Sequence, residues 1–246
     1  MRLELTFELH KAELPLDNKS IWISYLKNAL TMCNNGCFYE KYFGEAKAKD
    51  YSFSIILSKP EFLKQKIRLE NSKVKIIFSA LDEHRTGVIF FSAFSAQKNR
   101  KFILTDYNFM ILKSISQLKE NEIISNKVIF KTVTGGGIVI REHDESSNRD
   151  YYFTSNDEKF IAQAKLVLKN EAMQAGFSES LSDEINIMPI QSKKIVVKQY
   201  GIHVDVSVGL FLIEADTKIL NYFYKAGIGS KHSMGYGLLD IVEQIA

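Results

Sequence analysis

The chain has 246 residues, of which 46% are hydrophobic and 25% are charged, and its formal net charge at pH 7 is +3. This composition predicts a globular protein of one large or two small domains and excludes a disordered or fibrous chain. Two cysteines build neither a disulfide framework nor a four-ligand zinc site, so we expect no bound metal. The first residues carry no apolar signal region and no run of about eighteen apolar residues occurs, which predicts a cytoplasmic protein.

The first half of the chain predicts one ferredoxin-like unit. Residues 3–9 alternate apolar and polar side chains, as a half-buried strand does. Asp17 and Asn18 are candidate caps for a helix that ends at the Asn34-Asn35-Gly36 turn. The next predicted elements are strands at 51–57 and 73–80, a short helix at 86–96, and strands at 102–104 and 108–116. This order of strand, helix, two strands, helix and strand is the ferredoxin-like plan.

A comparable order repeats in the second half. Strands at 127–133 and 138–141 precede a helix that we place between a capping box at Ser155 and Glu158 and a stop at Gly176. Strands at 185–190, 193–199 and 203–212, a helix at 216–226 and a last strand at 238–242 follow. We therefore predict an α+β fold of tandem ferredoxin-like (RRM-like) domains, residues 1–122 and 123–246, with a C-terminal glycine-rich loop.

Residues 227–237 form the most informative stretch, in which four glycines surround a basic and hydroxyl-rich centre. Glycines let a backbone approach a bulky anion, and successive N–H groups can then bind phosphate oxygens. The loop lies between a predicted helix and a predicted strand, which reverses the strand–loop–helix order of a nucleotide-binding P-loop. A tight structural connection and a phosphate contact both stay open for this segment.

The stretch 226–238 resembles the glycine-rich signature of the CRISPR-associated endoribonucleases that cut precursor CRISPR RNA within its repeats. These enzymes belong to the repeat-associated mysterious protein superfamily. Residues 49–54 resemble the family's Lys-Pro-Phe-Thr-Phe-Ser segment, and residues 138–143 resemble the strand that opens its second half. The resemblance extends over the whole chain. It implies tandem ferredoxin-like domains, a CRISPR repeat RNA as partner, no cofactor and a role in antiviral defence, and it leaves open whether other subunits of an interference complex bind.

The resemblance also implies which residues contact RNA. In the loop the predicted RNA-binding residues are Gly227, Gly229, Ser230, Lys231, His232, Ser233, Gly235 and Gly237. Lys193, Lys194 and Lys198 form a basic run that could follow an RNA backbone, although a solvated charged face is the alternative. Tyr236 suits either base stacking or packing.

Many members of the resembling family carry a catalytic histidine between the first helix and the next strand, and residues 34–50 of this chain contain none. The predicted catalytic residues are the tyrosines and lysines of that interval, Tyr39, Tyr42, Lys47 and Lys49. The reaction that the family implies is attack of the RNA 2′-hydroxyl on the adjacent phosphorus, which leaves a 2′,3′-cyclic phosphate without metal. Neighbouring lysines favour a phenolate and stabilise the phosphorane.

Two alternatives remain at this point. The chain could hold CRISPR repeat RNA without cutting it, or it could be a structural subunit of an RNA-guided complex. Among the histidines, His10 is the alternative base, because it ends the first strand on its polar face. His84 and His143 stand beside acidic residues and are predicted to be surface residues.

Overall fold

The structure is a computed structural model that describes residues 1–44 and 49–245. Its first half contains β1 (Arg2–Leu9), β2 (Glu13–Pro15), α1 (Asn18–Met32), α2 (Tyr39–Phe43), β3 (Tyr51–Leu57), β4 (Glu61–Phe62), β5 (Lys66–Arg68), β6 (Lys73–Ala80), α3 (Thr86–Gln97), β7 (Lys101–Thr105) and β8 (Asn108–Gln117). Its second half contains β9 (Lys127–Thr132), β10 (Ile140–Asp144), β11 (Arg149–Phe153), α4 (Phe160–Gln174), α5 (Glu179–Asp183), β12 (Asn186–Gln199), β13 (Ile202–Glu214), α6 (Thr217–Ala226) and β14 (Leu239–Ile245).

The first sheet has the strand order β3-β6-β1-β8-β7, and its neighbouring strands are antiparallel. Alternate residues of β1 are buried, and Phe7 meets Trp22 of α1 with ring centroids 5.0 Å apart. Phe78 of β6 meets Phe90 of α3 at 4.8 Å. The apolar face of the sheet is therefore covered by α1 and α3, which is the layered arrangement of a ferredoxin-like unit.

The second sheet repeats this arrangement with the order β12-β13-β9-β14, again antiparallel. Its core joins Phe130 of β9 and Phe211 of β13 to Phe160 of α4 and Phe223 of α6. The hairpin of β10 and β11 forms a separate two-stranded sheet that contacts α4. The predicted α+β fold of tandem ferredoxin-like units is confirmed, whereas the domain limits at residues 122 and 123 stay a prediction.

Local details differ from the sequence prediction in the second half. The capping box is wrong: the Asp157 carboxylate accepts hydrogen bonds from the backbone N–H and hydroxyl of Thr154, so a turn precedes a helix that begins at Phe160. The two strands predicted at 185–190 and 193–199 are one strand, β12, with a register shift between Pro189 and Gln191. Proline donates no backbone hydrogen bond, which explains an irregular ladder at this edge strand.

The two halves meet through buried contacts. Ile77 of β6 clusters with Val133 and Leu238 of the second half. Arg2 is buried, and its Nη1 donates a 2.9 Å hydrogen bond to the carbonyl oxygen of Leu239. The guanidinium also bonds the Asp240 carboxylate. A buried cation is stable only where polar partners replace water, so this contact ties β1 to β14.

Two further findings concern membranes and metals. Among the described helices, none is long and apolar enough to cross a bilayer. Within residues 1–44 and 49–245, no group of three histidine, cysteine or acidic side chains is arranged to hold a metal ion. Both cysteines are free thiols; Cys33 is buried and Cys37 is exposed.

Candidate functional site

The glycine loop, residues 227–238, connects α6 to β14 and is mostly buried. Its four glycines all have positive φ. A Cβ atom on Gly237 would lie 1.9 Å from the carbonyl oxygen of Ile228, and one on Gly229 would lie 2.6 Å from that of Val139. Glycine is therefore required here by close backbone packing as well as by conformation.

The amides of the glycine loop are largely used inside the protein. The Ile228 N–H donates to the Gly237 carbonyl at 3.0 Å, and the Ser230 N–H donates to Val139 at 2.8 Å. The Gly229 N–H donates to the Glu171 carboxylate at 3.0 Å. These groups are not available to cradle a phosphate, because they already have partners. RNA contact by the loop stays a prediction, and its candidate donors are now the half-buried side chains of Ser230, Lys231 and Ser233.

His232 is buried and joins the loop to the first half of the chain. Its Nε2 lies 2.7 Å from the carbonyl oxygen of Lys49, and its Nδ1 lies 3.0 Å from that of Gly229. Both nitrogens must donate to these oxygens, so the ring is a cation. Burial opposes the charge, but Glu171 and the two carbonyls outweigh it and raise the pKa of His232. This ring holds the loop in place, which leaves direct RNA contact to its neighbours.

Lys19 of α1 is a third buried basic side chain between the halves, after Arg2 and His232. Its Nζ donates hydrogen bonds to the carbonyl oxygens of Gly135 and Gly235, and it lies 4.2 Å from the centroid of the Tyr236 ring. Burial lowers the pKa of Lys19 to about 7. Tyr236 is fully buried in this contact, so it packs against Lys19 and does not present a face for base stacking.

The predicted catalytic residues have different environments. Tyr42 is buried, its hydroxyl lies 2.8 Å from Thr86 Oγ1, and burial raises its pKa to about 12. That environment disfavours the phenolate form, which Tyr42 would need in order to act as a base. Tyr39 is half-buried beside Phe43, with ring centroids 5.7 Å apart. Lys49 is half-buried.

Lys47 lies outside the described residues. The catalytic assignment of the interval therefore stays a prediction, and the burial of Tyr42 counts against that residue as the base. The alternative base, His10, stacks on Phe109 at 4.7 Å. It follows β1 at the end opposite Arg2, whereas Tyr51 of β3 lies at the Arg2 end. Seven residues of strand correspond to roughly 23 Å, so the sheet separates His10 from Lys49.

The hairpin of β10 and β11 brings a charged group beside the glycine loop. His143 and Asp150 are directly paired across the hairpin, with Nδ1 and Oδ1 2.9 Å apart. Arg141 Nη1 donates to both oxygens of the same carboxylate at 3.1 and 3.2 Å. The Arg141 N–H donates to Ser230 Oγ at 3.1 Å, which joins the hairpin to the loop. Burial and the Arg141 charge lower the pKa of Lys231, the next residue of the loop.

A groove of about 1370 Å³ runs between the two halves. Its basic lining residues are Lys19, Lys131, Lys193, Lys198 and His203. No acidic side chain lines it within the part of the chain that the structure describes. Lys194 lies outside the lining, and its Nζ is 2.6 Å from the Asp205 carboxylate. Of the predicted lysines, the structure therefore brings Lys193 and Lys198 to one concave surface and Lys194 to an ion pair.

The sequence alone indicated neither the carboxylate partner of His143 nor the groove. Asp150 lies seven positions further along the chain, and only the hairpin register places it opposite His143. Lys131 and Phe62 come from elements that carried no functional signal, and they meet only because the two halves pack together.

Comparison with known proteins identifies the family to which the chain belongs. The family model described as CRISPR associated protein Cas6, C-terminal, matches residues 118–241, which is just over half of the 246 residues. The chain belongs to the Cas6 family of CRISPR-associated proteins. It is 25% identical over 203 residues to the CRISPR-associated endoribonuclease-like protein Cas6 of Pyrococcus furiosus, covering 79% of each chain.

Two solved structures share the fold of this Cas6-family chain. One is described as a RAMP protein binding different RNA substrates; it has a TM-score of 0.80 and 18% identity, over 99% of this chain and 100% of that one. The other is described as a Cas6-related gene from Pyrococcus furiosus; it has a TM-score of 0.80 and 19% identity, over 100% of this chain and 99% of that one. At these identities the likeness shows the fold.

A side chain added in the glycine loop should lower the free energy of unfolding of this Cas6-family chain. Gly237→Ala should lower the free energy of unfolding by about 3 kcal/mol, because the new Cβ meets a backbone oxygen at a positive φ. The matched control is Gly201→Ala, which has a similar φ but no atom within 4 Å of the new Cβ and should cost about 1 kcal/mol. Urea unfolding measures both, and equal losses would contradict the packing argument.

The free energy of unfolding should depend on pH because of His232. Its pKa in the folded protein is raised above the unfolded value of about 6.5, so its stabilising contribution is fully present below pH 6.5. That contribution is lost as pH rises through the folded pKa. His232→Gln should remove this part of the pH dependence of unfolding, whereas His203→Gln, at an exposed position, should keep it. A wild-type slope in the His232 variant would show that the cation is not stabilising.

Proposed function

We propose that the protein is a metal-independent endoribonuclease that binds CRISPR repeat RNA and cleaves precursor CRISPR RNA by attack of a 2′-hydroxyl. The observation that carries this proposal is the groove between the tandem ferredoxin-like units, whose lining combines apolar residues with lysines and includes no described acidic side chain. Membership of the Cas6 family supports CRISPR RNA as the ligand. The related fold described as binding different RNA substrates supports the same class of partner.

The groove suits a single RNA strand. Lys131, Lys193 and Lys198 supply positive charge along it, and such charge binds phosphates without regard to sequence. Phe62 also lines it and is 69% exposed. An exposed aromatic ring beside lysines can stack on an unpaired base.

The chemistry belongs at the glycine loop. There Ser230 and Lys231 lie beside Arg141, and the backbone carbonyl of Lys49 accepts a hydrogen bond from His232 of the loop. Cations at this point would orient the scissile phosphate and stabilise the additional negative charge of the phosphorane. The cleavage itself needs only the RNA 2′-hydroxyl as nucleophile, so a metal ion is not required.

A second function has specific support. The buried Tyr42, with its raised pKa, and the lack of histidine in residues 34–50 favour a relative that holds repeat RNA without cutting it. Such a protein, or a structural subunit of an RNA-guided complex, would use the same groove and lack the chemical step.

A cleavage assay distinguishes an endoribonuclease from a protein that only holds repeat RNA. Wild-type protein incubated with repeat RNA and EDTA should give two fragments, the upstream one ending in a 2′,3′-cyclic phosphate. Analysis of the fragment ends by mass spectrometry measures this. A repeat RNA in which the 2′-hydroxyl of the mapped cleavage site is replaced by hydrogen is the control and should stay intact. RNA that is bound but never cut would support the second function.

Binding should depend on salt in a way that identifies the groove. Replacing both Lys193 and Lys198 by alanine should reduce the slope of log affinity against log salt by about 1.4, since each of the two lost phosphate contacts on a single strand contributes about 0.7. Lys98→Ala with Lys218→Ala removes the same charge from exposed positions outside the groove and should leave the slope unchanged. Equal slopes in both double variants would place the RNA on another surface.

A further inference from the structure

Two histidine–aspartate pairs lie outside the predicted catalytic residues. His143 Nδ1 is 2.9 Å from Asp150 Oδ1, and His84 Nδ1 is 3.2 Å from Asp50 Oδ2. Both rings are accessible, with 42% and 68% of their side chains exposed. A carboxylate on Nδ1 places the proton there and leaves Nε2 as an acceptor, which is the arrangement of a general base. No residue of the described chain hydrogen-bonds either Nε2.

The surroundings distinguish the two pairs. Beside His143, Arg141 bonds the shared Asp150 carboxylate, and the Lys231 charge interacts with both Arg141 and Asp150. His143 therefore shares its carboxylate partner, Asp150, with two cations, Arg141 and Lys231. A phosphodiester is an anion, so this position suits it.

His84 has the opposite setting. Asp82 and Glu83 precede it directly in the chain. Its carboxylate partner, Asp50, also accepts a 2.6 Å hydrogen bond from Thr86 and therefore belongs to a structural network. Lys41 donates to the His84 carbonyl at 3.1 Å. This pair provides a histidine of the same type in surroundings less suited to an anion.

We propose that His143 is the general base of RNA cleavage, that Asp150 is its positioning residue, and that Arg141 and Lys231 bind the scissile phosphate. This inference rests on the proposed endoribonuclease function. It places the proton transfer on the β10–β11 hairpin of the second half, and not in the interval of residues 34–50.

The proposed cleavage step needs only the RNA, the protein and solvent water. Nε2 of neutral His143 removes the proton of the 2′-hydroxyl, and the oxygen forms a bond to the adjacent phosphorus. The bond from phosphorus to the 5′-oxygen breaks, and that oxygen takes a proton from solvent water. Arg141 and Lys231 face the phosphorane charge. Asp150 holds the ring with Nδ1 protonated and stabilises the imidazolium that forms.

The test is the single-turnover cleavage rate on saturating repeat RNA, so that loss of binding does not affect the result. His143→Ala should cleave about 10²- to 10⁴-fold more slowly than wild type, with RNA affinity changed less than about threefold. Added imidazole should restore part of the rate, because the exposed position leaves room for it. His84→Ala is the matched control and should cleave at the wild-type rate. Thermal unfolding confirms that each variant is folded, and His143→Gln serves if the alanine variant is not.

Asp150 is tested by a double-variant cycle. Asp150→Asn should slow cleavage more in the wild-type background than in His143→Ala, because the part of its effect that acts through the histidine is lost in that variant and only the part that acts through Arg141 is left. Additive losses would indicate a purely structural role and count against the assignment.

Other results of these experiments would overturn the assignment of His143 as the general base. Wild-type rates in both His143 variants, or a loss confined to affinity, overturn the inference while leaving the endoribonuclease function intact. Loss of cleavage in His84→Ala with retention in His143→Ala overturns it in favour of the other pair. A wild-type protein that binds repeat RNA and never cuts overturns the proposed function and this inference together.

Discussion

The arrangement of the molecule depends on basic side chains that are buried where its two halves meet. Arg2 and Lys19 come from the first half and bind carbonyl oxygens of the second, and His232 comes from the second and binds a carbonyl oxygen of the first. Each would be strongly unfavourable there without its partners. Because each side chain bonds a backbone oxygen of the other half, these contacts join the two halves at three separate points.

The surface features of the chain depend on how the two halves pack together. The groove exists because β3 of the first half faces β9 and the β12–β13 hairpin of the second. The charged group at the β10–β11 hairpin lies beside the glycine loop because Ser230 bonds Arg141. Lys19 borders the groove and also donates to the Gly235 carbonyl, so one side chain connects the groove with the glycine loop.

Most of the fold could be predicted from the sequence, since local periodicity decides it. The alternation in β1, the limits of β3 and β6, and the spacing of α6 all agree with the structure. The side-chain environments could not be predicted in the same way. The burial of Tyr42 results from packing against Tyr51 and Phe90, and this depends on how the helices lie on the sheet.

In the candidate site, too, the motif could be predicted from the sequence but the contacts of its residues could not. The glycine loop was visible as a motif, but the use of its amides depends on partners such as Val139 and Glu171 that are distant in sequence. Likewise, the pairing of His143 with Asp150 depends on a hairpin register that spacing alone does not fix. The predicted binding and catalytic residues themselves stay predictions.

The internal use of the glycine loop has a consequence for how such motifs are interpreted across a family. Selection for folding alone would retain Gly229 and Gly237, since a side chain at either position collides with the backbone. A relative that does not cut RNA would need these glycines as much as one that does, because the same backbone contacts build the loop in both. The glycines therefore report on how the chain packs, and their presence does not by itself indicate that a protein cleaves RNA.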